Sequence, residues 1–510
     1  MKRMLLLLIA LIILPSCAFA ASWSSIEAAI SSGSNFWYEG GTAVLSGKTL
    51  VVDGGSVEDV WIDWDPSASE NPLANVDTIQ FKNVKISTDS SIGVRSWMAG
   101  KSVSFDGNTT IQADHIYFSA SDSGSLTVHT GAKISATRIY NDANKNSSLT
   151  FTNDSEISAE LLFLNAVDNA QITAYQNGTL TLSNESNPDF QLLCGDDAAL
   201  TFTNSGTING RLNAALGGNG SLTAKNTGRI SKSCAIEALE FDPNAKSSCT
   251  VNFEHSGTIG KGLSISLMGD HTLQYKNTGS AKEELILEAI GDVTISGTHR
   301  PAAGTPETCH LYLYPYRKVT TPQEALTKAE ATILTLKQMG MLNSNAPDLV
   351  VYYQHTEQDD SESFAPSYYS PCSAEEYPFI LGDHTLTYTG ESSLTFGIDG
   401  PYKFLLGVYV DGKRLPSSAY SAWEGSTYIE LNPSYLATLS SGTHTLTAQY
   451  PFGTTDTTFE VAVIDEVTAS EEIPLPQTGD SSSLALWCML LSATLTAAFI
   501  FCRRKESSQQ

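Results

Sequence analysis

The chain has 510 residues, with 55 acidic against 29 basic side chains and a formal net charge of −26. Charged residues make up 16% of it, well under the roughly 25% of an ordinary soluble domain, and 38 glycines and 19 prolines are too few for a collagen-like or broadly disordered chain. A sequence pI near 4.6, with no run of Lys and Arg between the two ends of the chain, argues against a nucleic-acid surface.

At about 100–200 residues per domain, the length predicts two to four units. The N-terminus reads Met1-Lys2-Arg3-Met4, an apolar run from Leu5 to Leu14, then Ala18-Phe19-Ala20. Positive charge, a short apolar stretch and a small-x-small site predict a secretory signal peptide over 1–20, cut after Ala20. A lipoprotein alternative rests on Leu14-Pro15-Ser16-Cys17, a loose lipobox with an atypical proline.

After the signal, Ser24-Ser25-Ile26-Glu27 reads as a capping box and Gly33 as a stop, predicting a short helix over Ser25–Ser32. Trp23, Trp37, Trp61, Trp64 and Trp97 crowd this end. Within Trp61-Ile62-Asp63-Trp64-Asp65, aromatic faces alternate with carboxylates, the equipment for stacking on a sugar ring and bonding its hydroxyls. Trp61, Asp63, Trp64 and Asp65 are therefore the candidate glycan contacts, against the reading that these tryptophans fill a core.

A short phrase then recurs, as in Leu149-Thr150-Phe151-Thr152-Asn153 and Leu200-Thr201-Phe202-Thr203-Asn204. Its copies start at residues 79, 103, 126, 149, 172, 200, 222, 251, 273 and 293. Apolar residues at the first and third positions give the period of a half-buried strand. Asn-Ser/Thr-Gly after several copies, as in Asn204-Ser205-Gly206, reads as a turn tolerant of positive φ. A repeat of about 23 residues built of short strands predicts a right-handed parallel β-helix over 21–300, with ten coils spanning roughly 48 Å at the strand spacing of about 4.8 Å.

Between 301 and 380, Thr321-Pro322-Gln323-Glu324 opens a helix that Gly340 stops, with apolar strands on either side. This predicts a small α/β (βαβ-like) closing or linking element. From 381 to 464 the pattern turns to antiparallel strands with a hairpin at Asp411-Gly412. The run Gly425-Ser426-Thr427-Tyr428-Ile429-Glu430-Leu431, with Tyr435-Leu436 and Gly442-Thr443-His444-Thr445-Leu446, resembles an immunoglobulin-like module appended to Gram-positive surface proteins and glycan-degrading enzymes. That resemblance implies a β-sandwich, commonly a spacer. A short acidic tether follows over 465–474.

The C-terminus, 475–510, carries Leu475-Pro476-Gln477-Thr478-Gly479, an apolar run from Leu484 to Phe501, and Arg503-Arg504-Lys505. Eighteen helical residues cover about 27 Å, enough for the hydrocarbon core, and the cationic end stays cytoplasmic. This resembles the LPxTG sorting signal of Gram-positive wall-anchored proteins. The resemblance implies that a sortase cuts after Thr478 and joins it to a peptidoglycan amine. The membrane is then touched only through this transmembrane sorting helix before cleavage. Loss of both ends takes five basic and two acidic residues away and moves the net charge from −26 to −29.

Chemistry beyond this is sparse. Gly195-Asp196-Asp197 is similar to a paired-aspartate motif of pectin hydrolases, but that family's other motifs are missing. His255 replaces a repeat-position asparagine and reads as a turn residue. No HExxH, GxSxG, P-loop, CxxC or zinc spacing occurs, so no catalytic residue, metal or cofactor is expected. The mature cysteines Cys194, Cys234, Cys249, Cys309 and Cys372 are odd in number, so at least one lacks a partner within the chain. The expected function is a secreted, wall-anchored adhesin or binder of a glycan or host-surface ligand. A wall-anchored polysaccharide lyase or glycoside hydrolase is the alternative.

Overall fold

The computed structural model describes residues 20–463, apart from 69–70, 184–188, 240–247, 303–307, 315–318, 344–347, 356–368, 373–376 and 451. Residues 1–19 of the expected signal peptide, the expected tether 465–474, the Leu475-Pro476-Gln477-Thr478-Gly479 motif, the apolar run and Arg503, Arg504 and Lys505 lie outside the described residues. Among the described residues no helix is long and apolar enough to cross a membrane.

Each repeat folds into one coil of three short strands. Ser148–Asn153, Glu156–Ala159 and Leu161–Ala166 make one such coil, and the next begins at Gln171. Successive coils pair in parallel, with Leu149 opposite Ile172, Ile157 opposite Leu180 and Leu162 opposite Phe190. Three strand stacks result. The second and third merge into one sheet where Thr110–Ala120 and Lys133–Ala143 run unbroken through the corner between them. The chain is thus an all-β, β-helix-like fold with long parallel sheets.

The repeat phrase sets the register of the first stack. Leu126, Leu149, Ile172, Leu200, Leu222, Val251 and Leu273 stand one above another, but Leu126 faces Lys101 while Val103 faces Ile79 and Val128, so the expected start at 103 is two residues out of register. Leu50 stands one level before Ile79 in the neighbouring column, and the column of Leu126 closes on Ile295 rather than Val293. These residues are buried, and so is every third-position aromatic, with the Phe81 ring stacked on Phe105 at 5.1 Å and 12°. Burying each such side chain contributes about 1.5–3 kcal/mol, which offsets the cost of ordering the coil.

The fifth position of the phrase also points inward, because strand side chains alternate. Asn153, Gln176, Asn204, Asn226, His255, Asn277 and His299 form a buried polar ladder instead of turns. The Asn204 amide donates to Asn226 Oδ1 at 2.7 Å, and Asn226 Nδ2 meets His255 Nδ1 at 3.1 Å. His255 is therefore an interior residue, contrary to the turn expected for it. The glycines after this ladder lack positive φ; what they need is room. A Cβ on Gly228 would lie 2.1 Å from the Gly206 carbonyl oxygen, and one on Gly257 2.0 Å from that of Gly228. Left-handed backbone falls at a different corner, where Lys145-Asn146, Asp168-Asn169 and Asp196-Asp197 make two-residue turns stacked coil on coil.

Helix α1, Trp23–Ser31, sits at the first coils. Its cap is Ser22, whose hydroxyl accepts from the Ser25 N–H, while Glu27 receives the Trp23 indole N–H at 2.8 Å. The cap thus falls two residues before the expected box at Ser24, whose Glu27 is bonded to Trp23 instead. The predicted lead-in Phe36–Leu50 is a hairpin, with Gly41–Ser46 pairing antiparallel to both Phe36–Tyr38 and Thr49–Gly54.

At the other end, Thr308–Tyr314 and Asp348–Gln354 add two further parallel strands to the third stack. Helix α2, Pro322–Met339, lies between them in sequence, capped by Thr321 and closed by Gly340 at φ 94°. It packs on Thr294–His299 and Asp348–Gln354. Its Lys337 also donates to the carbonyls of Lys403 and Leu405, at 3.3 and 3.2 Å, and its Glu330 pairs with Lys403. From Phe379 to Val461 the strands form a four-stranded antiparallel sheet and a five-stranded sheet, antiparallel except where Thr387–Tyr388 joins Gly453–Val461. The Asp411-Gly412 hairpin forms as expected, with φ 50° and 73°.

Candidate functional site on the outer face of the third stack

Trp61–Trp64 is the first strand of the third stack, so its side chains alternate between core and surface. Ile62 and Trp64 point inward and are 0% exposed, and the Trp64 indole N–H donates to the Val76 carbonyl at 2.8 Å. Trp64 therefore has no face to offer a sugar, which corrects its place among the glycan contacts. Trp61 and Asp63 point outward, and Trp61 remains 38% exposed. Asp65 is spent on a turn: its Oδ1 accepts from both the Ser67 N–H and hydroxyl at 2.7 Å, and those bonds hold its carboxyl below the usual range.

What the structure brings together around Trp61 is a second set. Gly93 lies opposite it, and a Cβ there would fall 2.6 Å from the indole, so the ring occupies space that only glycine leaves. The Arg95 guanidinium lies 4.6 Å from the Trp61 ring centroid and 5.6 Å from that of Trp97. Arg95 is also the strand neighbour of Asp63, at 4.0 Å. Burial raises the Asp63 pKa, Arg95 works against that rise, and Asp65 adds to it. Asp63 Oδ1 and Arg95 Nε are shielded from water, with no hydrogen-bond partner among the described residues.

Along the same outward row stand Tyr117, Tyr140 and Phe163, one per coil. Tyr117 stacks on Tyr140 at 5.0 Å and 5°, and Tyr140 on Phe163 at 5.1 Å and 4°. Rings stacked this way turn their edges, not their faces, to solvent. They brace the sheet surface, and Trp61 is the ring of the row set apart from the stack. These three aromatics repeat at the 23-residue step, a signal present in the sequence but shorter than the ten-copy phrase of the first strand. Further along, the outward residues become small, at Asn213, Ala215, Ala235 and Ser264, and the face sinks into a trough of about 510 Å³.

Asp196 and Asp197 are at an exposed corner with φ 51° and 63°, the positions held one coil earlier by Asp168 and Asn169. The Asn219 amide donates to Asp197 Oδ1 at 2.7 Å. Asp and Asn tolerate left-handed backbone, so the turn alone accounts for this pair. Cys194, Cys234, Cys249, Cys309 and Cys372 are buried, and burial pushes the thiols of Cys194 and Cys234 up to about 11 and about 12. Among the described residues no group of three or more His, Cys, Asp or Glu is placed to hold a metal. Comparison with family models, with curated proteins and with solved structures returned no match.

Proposed function

We propose that the chain is a secreted surface protein that a sortase joins to peptidoglycan through Thr478 in the wall of a Gram-positive bacterium. In this reading a right-handed parallel β-helix, 21–300, is closed by 301–380 and carried on an immunoglobulin-like spacer, 381–464. The solenoid acts as an adhesin for a glycan or host-surface ligand. The observation that carries the anchoring is the agreement of Leu475-Pro476-Gln477-Thr478-Gly479, the apolar run behind it and Arg503-Arg504-Lys505. The binding role is supported by Trp61, exposed beside the Asp63–Arg95 pair.

Mass spectrometry of the protein released from purified walls tests the anchoring. The expected final peptide ends at Thr478 and carries a wall fragment, and a chain that retains residues 479–510 would overturn it. For the binding role, Trp61→Ala should lose glycan-array signal while keeping the wild-type melting temperature. Shortening of a polysaccharide by the purified chain would instead favour the enzymatic alternative.

A further inference from the structure

Lys232, Lys261 and Lys282 are 29 and 21 residues apart in the sequence, yet the coils stack them. Each occupies the corner between the second and third stacks, on three successive coils. The Lys261 N–H donates to the Lys232 carbonyl, and the Lys282 N–H to the Lys261 carbonyl, both at 3.2 Å. All three side chains are exposed, and no carboxylate among the described residues lies within 4.0 Å of their ammonium groups. Like charges on backbone levels about 4.8 Å apart repel one another, and a bound anion would relieve that repulsion.

The column borders the trough of the third stack, where Lys261 and Arg211 stand on the near bank. The trough also holds Glu237, Glu283 and Glu284, with the Glu284 side chain lying over Gly262. Amides and hydroxyls, including Asn213 and Ser264, line its floor. Arg211 Nε lies 3.7 Å from Asp189, so Lys261 is the cation of the trough outside such a pair, set beside three glutamates and the hydrogen-bonding groups of the middle. A second groove, about 450 Å³ on the second stack, holds Lys85 and Lys133, of which Lys133 pairs with Glu156 at 3.1 Å.

We propose that this trough binds an extended acidic polysaccharide, one with carboxylates on its sugars, lying along the stacking direction. Resting on the adhesin reading above, this names its ligand class. The coil rise is comparable to the advance of one sugar ring along such a polymer. Successive lysines thus meet successive acidic sugars, while Asn213, Ser264 and Glu237 take the hydroxyls. In a chain of net charge −26, three exposed lysines on successive coils share this corner.

Calorimetric titration of the mature chain, residues 21–478, with an oligogalacturonate tests the assignment, with a neutral maltooligosaccharide of equal length and a short DNA duplex as comparison arms. Expected are binding of the oligogalacturonate that weakens as salt rises, and a tenfold or greater loss in the triple variant Lys232→Gln, Lys261→Gln, Lys282→Gln. Lys133→Gln should bind as the wild type, Glu237→Gln should change affinity, and Lys261→Arg should retain it. The lysines are exposed, so unchanged circular dichroism and melting temperature confirm that the triple variant is folded. No binding by the wild type, equal binding of the neutral oligosaccharide, or an unaffected triple variant would each overturn the proposal. DNA binding of equal strength that falls with the same variant also overturns it, since the column is then a general polyanion surface. Attachment through Thr478 plays no part in a titration in solution, so its failure and this one are separable.

Discussion

The solenoid and the C-terminal sheets both bury aromatic rings, but they do so by different rules. In the solenoid, a residue's neighbours are its own counterparts one coil away, as with Phe81 on Phe105 or Asn204 on Asn226. In the C-terminal sheets each contact is used once: Phe396 meets Phe459 edge-on at 5.8 Å, and Phe404 meets Phe452 at 6.1 Å and 88°. There the Thr457 hydroxyl donates to Asp383, 74 residues away. A column confines damage to adjacent coils, whereas a network of unique contacts shares it across the whole unit.

The largest test of this contrast is Trp64→Ala. Removing a fully buried indole should cost about 3–5 kcal/mol. Differential scanning calorimetry should show the first coils melting early while the transition of the C-terminal sheets stays in place; one transition, shifted as a whole, would break the comparison. Asn226→Ala is smaller, about 1–3 kcal/mol, because it strips Asn204 Nδ2 and His255 Nδ1 of the partner they share inside the ladder. Denaturant melts should place that loss in the solenoid.

The smallest effect belongs to the C-terminal sheets, where His444 meets Asp411 at 2.7 Å. Burial disfavours charge on His444, but hydrogen bonds to Asp411 and to the Ser440 carbonyl outweigh it and raise its pKa above 6.5. A raised histidine stabilises fully below the unfolded value of 6.5 and loses that contribution as pH rises through the folded one. Burial likewise opposes charge on Asp411, yet the bonds from His444 and the Thr445 N–H hold its pKa low, so its share is lost only as pH falls through that depressed value. Melting temperatures should therefore drop as pH rises above the histidine range, and His444→Gln should flatten that slope.

The register of the first stack was legible because Leu149, Leu200 and their counterparts carry the same alternation at a near-constant step. The polar ladder was legible by the same rule, since Asn153 and Asn204 fall on the inward parity, but asparagine's taste for turns pointed the other way. The true turns at Asp168-Asn169 and Asp196-Asp197 lay in the variable stretch between phrases. For the candidate site, alternation alone separates Trp61 from Trp64. The partnership of Trp61 with Gly93 and Arg95 was not legible, because it joins residues about one coil apart in a part of the chain where the repeat is weakest. The lysine column was hidden for a similar reason: unequal steps conceal it until the coils are laid one on another.

The stacked glycines at 206, 228 and 257 set a limit on how such a chain changes over time. Where one carbonyl fills the space a methyl group would need, any side chain put in place of the glycine has nowhere to go. A whole duplicated turn brings its own glycine and its own ladder amide, and it docks on either neighbour unaltered. The molecule can therefore lengthen in complete steps, like a ruler extended by graduations, while resisting smaller edits along the same edge.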